Sequence, residues 1–146
     1  MKQLVMLLCL ISVASSAQVS ESDQIKATIN QLFEGMKYSD SLAVKNSFSS
    51  NAILQTITKS GEARNENVKD FAVSIAKAEK ESLEEKITFS NILIDGNLAS
   101  VWTPYEFYYK GQFSHCGVNS FQLVKSNNRW KIQYIIDTRR KDNCKK

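Results

Sequence analysis

Few residues of this 146-residue chain could do chemistry: one histidine, three cysteines, and some acids and tyrosines near its end. His115 stands beside Cys116, an adjacency that invites a thiol–histidine nucleophile. Both fall in an alternating stretch that reads as a strand. Neighbours on a strand point to opposite faces, so this imidazole is not expected to reach this sulfur. The same residues fall short of the four protein ligands of a structural zinc site, and no metal-type spacing occurs. His115 is therefore read either as a hydrogen-bonded wall residue or, with a reference pKa of about 6.5, as a general base or a donor to a bound carbonyl. Asp137 ends the apolar run Tyr134-Ile135-Ile136. It is read either as a base with a raised pKa or as half of a surface ion pair with Arg139. Glu106, between Tyr105 and Phe107, is open in the same way.

The elements that must position these residues begin after a leader. Lys2 gives a short positive segment, Leu4 to Val13 is mostly apolar, and Ser15 and Ala17 are the small residues a signal peptidase needs. The apolar run is too short to span a bilayer, which takes roughly 20 residues. Residues 1–17 are read as a signal peptide cleaved near Ala17 and residues 18–146 as one domain. The product would be exported, periplasmic or secreted. With 42% hydrophobic and 23% charged residues, one proline and five glycines, the chain is an ordinary globular one, which excludes disorder, collagen and a polytopic membrane protein.

Loss of Lys2 takes the net charge from +4 to +3. The basic cluster Arg139, Arg140, Lys141, Lys145 and Lys146 reads as a solvated tail rather than a nucleic-acid surface, which would need a larger basic face with interleaved aromatics. No nucleic-acid, membrane or cofactor partner is expected. Cleavage leaves two cysteines, Cys116 and Cys144, and an oxidising compartment favours one disulfide between them. It would close 28 residues, be worth roughly 3–4 kcal/mol, and pin the tail to the sheet.

Ile25, Ile29, Leu32, Phe33 and Met36 recur at helical spacing and predict a helix over 22–37, capped by Ser20 or Ser22. A short helix follows at 41–48, a strand at 52–58, and a third helix at 66–82 on Val68, Phe71, Ala72, Ile75 and Ala78. Strands are expected at 86–94, 98–109, 113–125 and 130–138, with turns at Asp95-Gly96, Gly111 and Asn127-Asn128. Helices before a run of antiparallel strands spell an α+β domain. A two-residue turn at Asn127-Asn128 pairs Leu123 with Ile132, Phe121 with Tyr134, Asn119 with Ile136 and Gly117 with Thr138. That register puts His115, Asn119, Phe121, Leu123, Ile132, Tyr134 and Ile136 on the face under the helices. Cys116, Ile135, Asp137 and Arg139 fall on the other face.

The chain resembles the nuclear transport factor 2-like superfamily in its helix-rich first half, Asp95-Gly96-Asn97-Leu98-Ala99 and Trp130-Lys131-Ile132. More narrowly, Trp102-Thr103-Pro104-Tyr105-Glu106-Phe107-Tyr108, Phe113 to Leu123 and Asp137-Thr138-Arg139-Arg140 resemble its bacterial lumazine-binding branch. The resemblance covers about residues 22–144. It implies a cone of three helices wrapped by a strongly curved, mostly antiparallel sheet, a pocket open at one end, and a homodimer formed through the outer sheet face. A fold of this kind hosts isomerases, cyclases, dehydratases and pure binders alike.

Within such a cone, Tyr105, Phe107, His115, Asn119 and Tyr134 are expected to line one inner surface, with Gly117 leaving free volume above it. An apolar aromatic wall with a few polar groups suits a small planar or aromatic organic ligand. Gln55 and Tyr38 are further polar candidates. The expected function is binding without turnover. The alternatives are acid–base chemistry on a carbonyl compound, with His115 or Asp137 as base and a tyrosine as oxyanion donor, and a filled, non-catalytic interaction module.

Overall fold

Side-chain hydroxyls, amides and carboxylates set the start of each helix. Ser20 caps α1 (Glu21–Lys37), its Oγ accepting from the Asp23 amide at 3.1 Å. Glu21 and Asp23 in the first turn and Lys37 in the last complement the helix dipole. Asp40 caps α2 (Ser41–Ser47), accepting from the Leu42 and Ala43 amides. Asn67 caps α3 (Val68–Lys77) in the same way. The structure, a computed structural model, describes residues 19–144, so the expected signal segment lies outside the described residues.

α3 stops five residues before the predicted 82. Its apolar stripe ends at Ala78, and the chain turns there, with Glu81 at a positive φ of 62°. The predicted first strand begins earlier, as β1 (Phe48–Ile57); the turn that the sequence places at Ser60-Gly61 follows it and leads into a short strand that was not expected, β2 (Ala63–Glu66). The single strand expected at 86–94 is two, β3 (Leu83–Ile87) and β4 (Asn91–Asp95), both antiparallel to β5 (Leu98–Tyr109). Pro104 explains the break. Its carbonyl accepts from the Thr88 amide at 2.9 Å, but it has no N–H to return the bond. β6 (Gln112–Ser126) and β7 (Arg129–Arg140) complete a curled sheet of order β2-β1-β7-β6-β5-β3, with β4 also on β5. The β1–β7 pairing is parallel and the rest antiparallel. The three helices fill the concave side, where Ile25, Ile29, Leu32, Val44 and Ile75 pack against Val101, Phe121, Leu123 and Ile132. This is the α+β cone expected.

The final hairpin starts in the predicted register, with Ser126 opposite Arg129 and Leu123 opposite Ile132. A bulge then admits one extra residue, so that Gln122 faces Tyr134 and Asn119 faces Asp137. One residue of slip exchanges the two faces. Asp137 and Ile135 therefore point inward, and Tyr134 and Ile136 outward, opposite to the expectation. Cys116 and Cys144 form the expected disulfide, 28 residues apart, tying the segment after β7 back to β6.

Candidate functional site

The curled sheet places inward side chains in rows that cross neighbouring strands. One row is Val101, Phe121, Ile135 and Leu54, from β5, β6, β7 and β1. All four are apolar. The next row, two residues along each strand, is Thr103, Asn119, Asp137 and Thr56. All four are polar, and their exposures are 0%, 6%, 7% and 5%. Beyond it come Tyr105, Gly117 and Arg139, then Phe107 beside His115, with Glu85 of β3 opposite Phe107. The interior thus changes from hydrocarbon to hydrogen-bonding groups within one pleat.

These groups form two hydrogen-bonded arrays. Asn119 Nδ2 donates to Glu85 Oε1 at 2.7 Å and lies 3.4 Å from Thr103 Oγ1. Arg139 Nε donates to Asp137 Oδ2 at 2.9 Å. The Tyr105 hydroxyl shares its one proton between Thr138 O at 2.9 Å and Asp137 Oδ2 at 3.2 Å. Glu85 Oε2 has no hydrogen bond among the described residues. Thr56 Oγ1 is buried and unpartnered, and with Trp130 Nε1 makes up the two such side-chain atoms found among those residues. A buried hydroxyl without a partner costs about 1–3 kcal/mol, so this row has unused hydrogen-bonding capacity.

Burial sets the charges. It raises the Glu85 carboxyl to about 8, helped by the nearby Asp137 charge and opposed by the Asn119 bond and by Arg139. Glu85 is therefore mostly protonated at neutral pH, a donor as well as an acceptor. Burial also raises Tyr105, with the charges of Asp137 and Glu85 adding to it. Burial, and then the charge of Arg139, lowers His115, leaving its imidazole neutral at pH 7. Its ring lies 5.0 Å from that of Phe107 and edge-on to Tyr105 at 5.8 Å, and Nδ1 is 3.1 Å from Ser114 Oγ.

Of the residues singled out in the sequence, Tyr105, Phe107, His115 and Asn119 come together. Tyr134 does not: it is on the other face, where its hydroxyl donates to Gln55 Oε1 at 2.6 Å. Gln55 goes outward with it, and Tyr38 is exposed. Asp137 does pair with Arg139, but inside rather than on the outer surface. Gly117 leaves no free volume. A Cβ there would lie 1.8 Å from Thr138 O and 2.7 Å from Tyr105 Cε1, so the tyrosine ring occupies the space. Glu106 accepts from the Tyr108 hydroxyl at 2.8 Å. Glu85, Thr103 and Thr56 were missed. Thr103 alternates correctly with Tyr105 and could have been found; Glu85 lay in a charged stretch assigned to no element. Among the described residues no group of three or more histidine, cysteine, aspartate or glutamate side chains could hold a metal ion. No helix there is long and apolar enough to cross a membrane.

Comparison with known proteins places this geometry. The family described as "Putative lumazine-binding" matches residues 20–134. An NTF2-like protein of unknown function from Shewanella baltica OS155 superposes with a TM-score of 0.68 at 21% identity, covering 86% of this chain and 98% of that one. A protein of unknown function with a cystatin-like fold from Nostoc punctiforme PCC 73102 has a TM-score of 0.67 at 16% identity, covering 85% and 80%. An NTF-2-like protein of unknown function from Silicibacter pomeroyi DSS-3 has a TM-score of 0.66 at 15% identity, covering 82% and 95%. No curated protein matches.

Proposed function

Because the chain belongs to the "Putative lumazine-binding" family, we propose that it binds a small, planar or aromatic organic molecule at the mouth of the cone, without turning it over. What supports this reading is the Glu85 carboxyl, which turns to the inner side of the curled sheet, accepts one bond from Asn119 and is raised by burial to about 8. A fixed neutral acid presents one donor and one acceptor side by side, which suits the edge of a polar ring. Phe107, His115 and Tyr105 supply flat apolar surface, and Asn119 and Asp137 add polar contacts. Thr56 Oγ1 supplies a hydroxyl that a ligand or water would satisfy.

Lumazine itself, titrated and followed by its fluorescence, is a suitable probe. Affinity is expected to fall at least tenfold between pH 6.5 and pH 9.5 as Glu85 ionises. Glu85→Gln keeps a neutral donor and should flatten that dependence. Binding that is absent at all pH values, or an equal fall in the variant, refutes the reading.

The enzyme reading rests on one different observation. Neutral His115 stands within a few ångströms of Tyr105 and Phe107, a position from which it could take a proton from a bound carbonyl compound. His115→Ala separates the two: a binder keeps most of its affinity, whereas an enzyme loses turnover. The chain is further read as exported after cleavage near Ala17, which the disulfide favours. Pairing of two copies through the outward sheet face, where Trp102 and Leu93 are exposed, is part of the same reading.

A further inference from the structure

Away from the cone mouth, the C-terminal end of α2, the first residues of β1 and the start of α3 enclose a cleft of about 330 Å³. That is the small end of the roughly 300–1,000 Å³ typical of ligand sites. Lys45, Lys69 and Lys131 line it, and no carboxylate does. None of the three takes part in an ion pair among the described residues; the pairs found there use Lys26, Lys37, Lys86, Lys110, Lys125 and Arg139. Neighbouring clefts continue the pattern. One shares Lys45 and Lys69 and adds Lys77; another shares Lys131 and adds Arg129; neither is lined by an acid. Five cations, Lys45, Lys69, Lys77, Arg129 and Lys131, thus line three neighbouring clefts.

The cleft is more than a run of solvated lysines. Lys131 is only partly exposed, and its ammonium donates to the Asn46 carbonyl, which fixes it in the wall. Burial, and then Arg129, hold it below the ordinary lysine value, so its charge lacks compensation. Ser49, Ser50 and Asn67 add hydroxyl and amide groups, and Phe48, Ala52 and Val68 give an apolar side.

We propose that this cleft binds the phosphate group of a small phosphorylated organic molecule. Three lysines lining one cleft, with no carboxylate among its walls, suit more than one negative charge and more than two acceptor oxygens. A phosphate monoester carries about −1.5 to −2 at pH 7 and three strong acceptor oxygens, whereas a carboxylate carries one charge on two. The organic part would rest on Phe48, Ala52 and Val68. The site is independent of the cone mouth.

The test is an amide NMR titration of the purified protein with phenyl phosphate, with benzoate, citrate and heparin in parallel. Phenyl phosphate should give saturable shifts confined to residues 45–52, 67–69 and 131. The exposed double change Lys45→Gln/Lys69→Gln should weaken binding at least tenfold, while Lys59→Gln, outside the cleft, should change it less than twofold. Unchanged spectra elsewhere verify the fold of each variant. The proposal is overturned if benzoate or citrate binds as tightly, or if only heparin binds. It is equally overturned if the shifts centre on Asn119 and His115, or if Lys59 and Lys80 respond as strongly as the cleft.

Discussion

Two adjacent rows of the same sheet make opposite use of burial. Val101, Phe121, Ile135 and Leu54 turn hydrocarbon to the helices, and their neighbours two residues on, Thr103, Asn119, Asp137 and Thr56, turn hydrogen-bonding groups to the same interior. The backbone is the same in kind and the depth is similar, so side-chain chemistry alone separates a row that holds the fold together from a row that can do something else. Burying polar groups costs free energy unless they are paired. The second row is nearly but not fully paired, and the shortfall lies at Thr56.

Substitutions that strike the two rows should separate them. Phe121→Ala removes the centre of the apolar row, which packs edge-on to Phe33 at 6.2 Å. It should cost about 3–5 kcal/mol in chemical denaturation. Gly117→Ala drives a Cβ into Thr138 O and the Tyr105 ring. About 2–3 kcal/mol is expected, with a changed near-ultraviolet tyrosine signal as the ring is displaced.

Glu85→Gln should do the reverse of a core mutation. A carboxyl whose folded pKa lies above its unfolded value stabilises the fold only while protonated. That stabilisation is complete below about 4.5 and is lost as pH rises towards about 8. The wild type should therefore lose stability from pH 5 to pH 9, whereas the glutamine variant should not. The variant should be the more stable at pH 9 by on the order of 2 kcal/mol. Curves that stay parallel across this range would show that Glu85 is ionised in the fold. The smallest effect is expected at Thr56→Val. Removing an unpartnered hydroxyl from a buried site should leave thermal stability unchanged or raise it by up to about 1 kcal/mol, while weakening lumazine binding. A clear loss of stability would mean that the hydroxyl already has a partner.

What could be read in advance divides along the same line. The α1 stripe, the Asn127-Asn128 turn and the Cys116–Cys144 bridge all follow from local spacing or compartment chemistry. The membership of the polar row did not. Ile132, Tyr134 and Ile136 alternate so cleanly that nothing in the pattern signals the bulge between them, yet that one extra residue sends Tyr134 out and brings Asp137 in. Glu85 was hidden for a different reason. It lies in a run of charged residues, and only the antiparallel pairing of β3 with β5 shows that this acid turns inward while Lys86 remains in solvent. Positions fixed by contacts distant in sequence leave no periodic trace.

The central claim is that the mouth of the cone holds a protonated acid ready for a ligand. The most direct measurement is the carbon-13 chemical shift of the Glu85 side-chain carboxyl as a function of pH, assigned with Glu85→Gln. A midpoint at about 8 is the result this account predicts. A midpoint near the ordinary glutamate value of about 4.3 would contradict it.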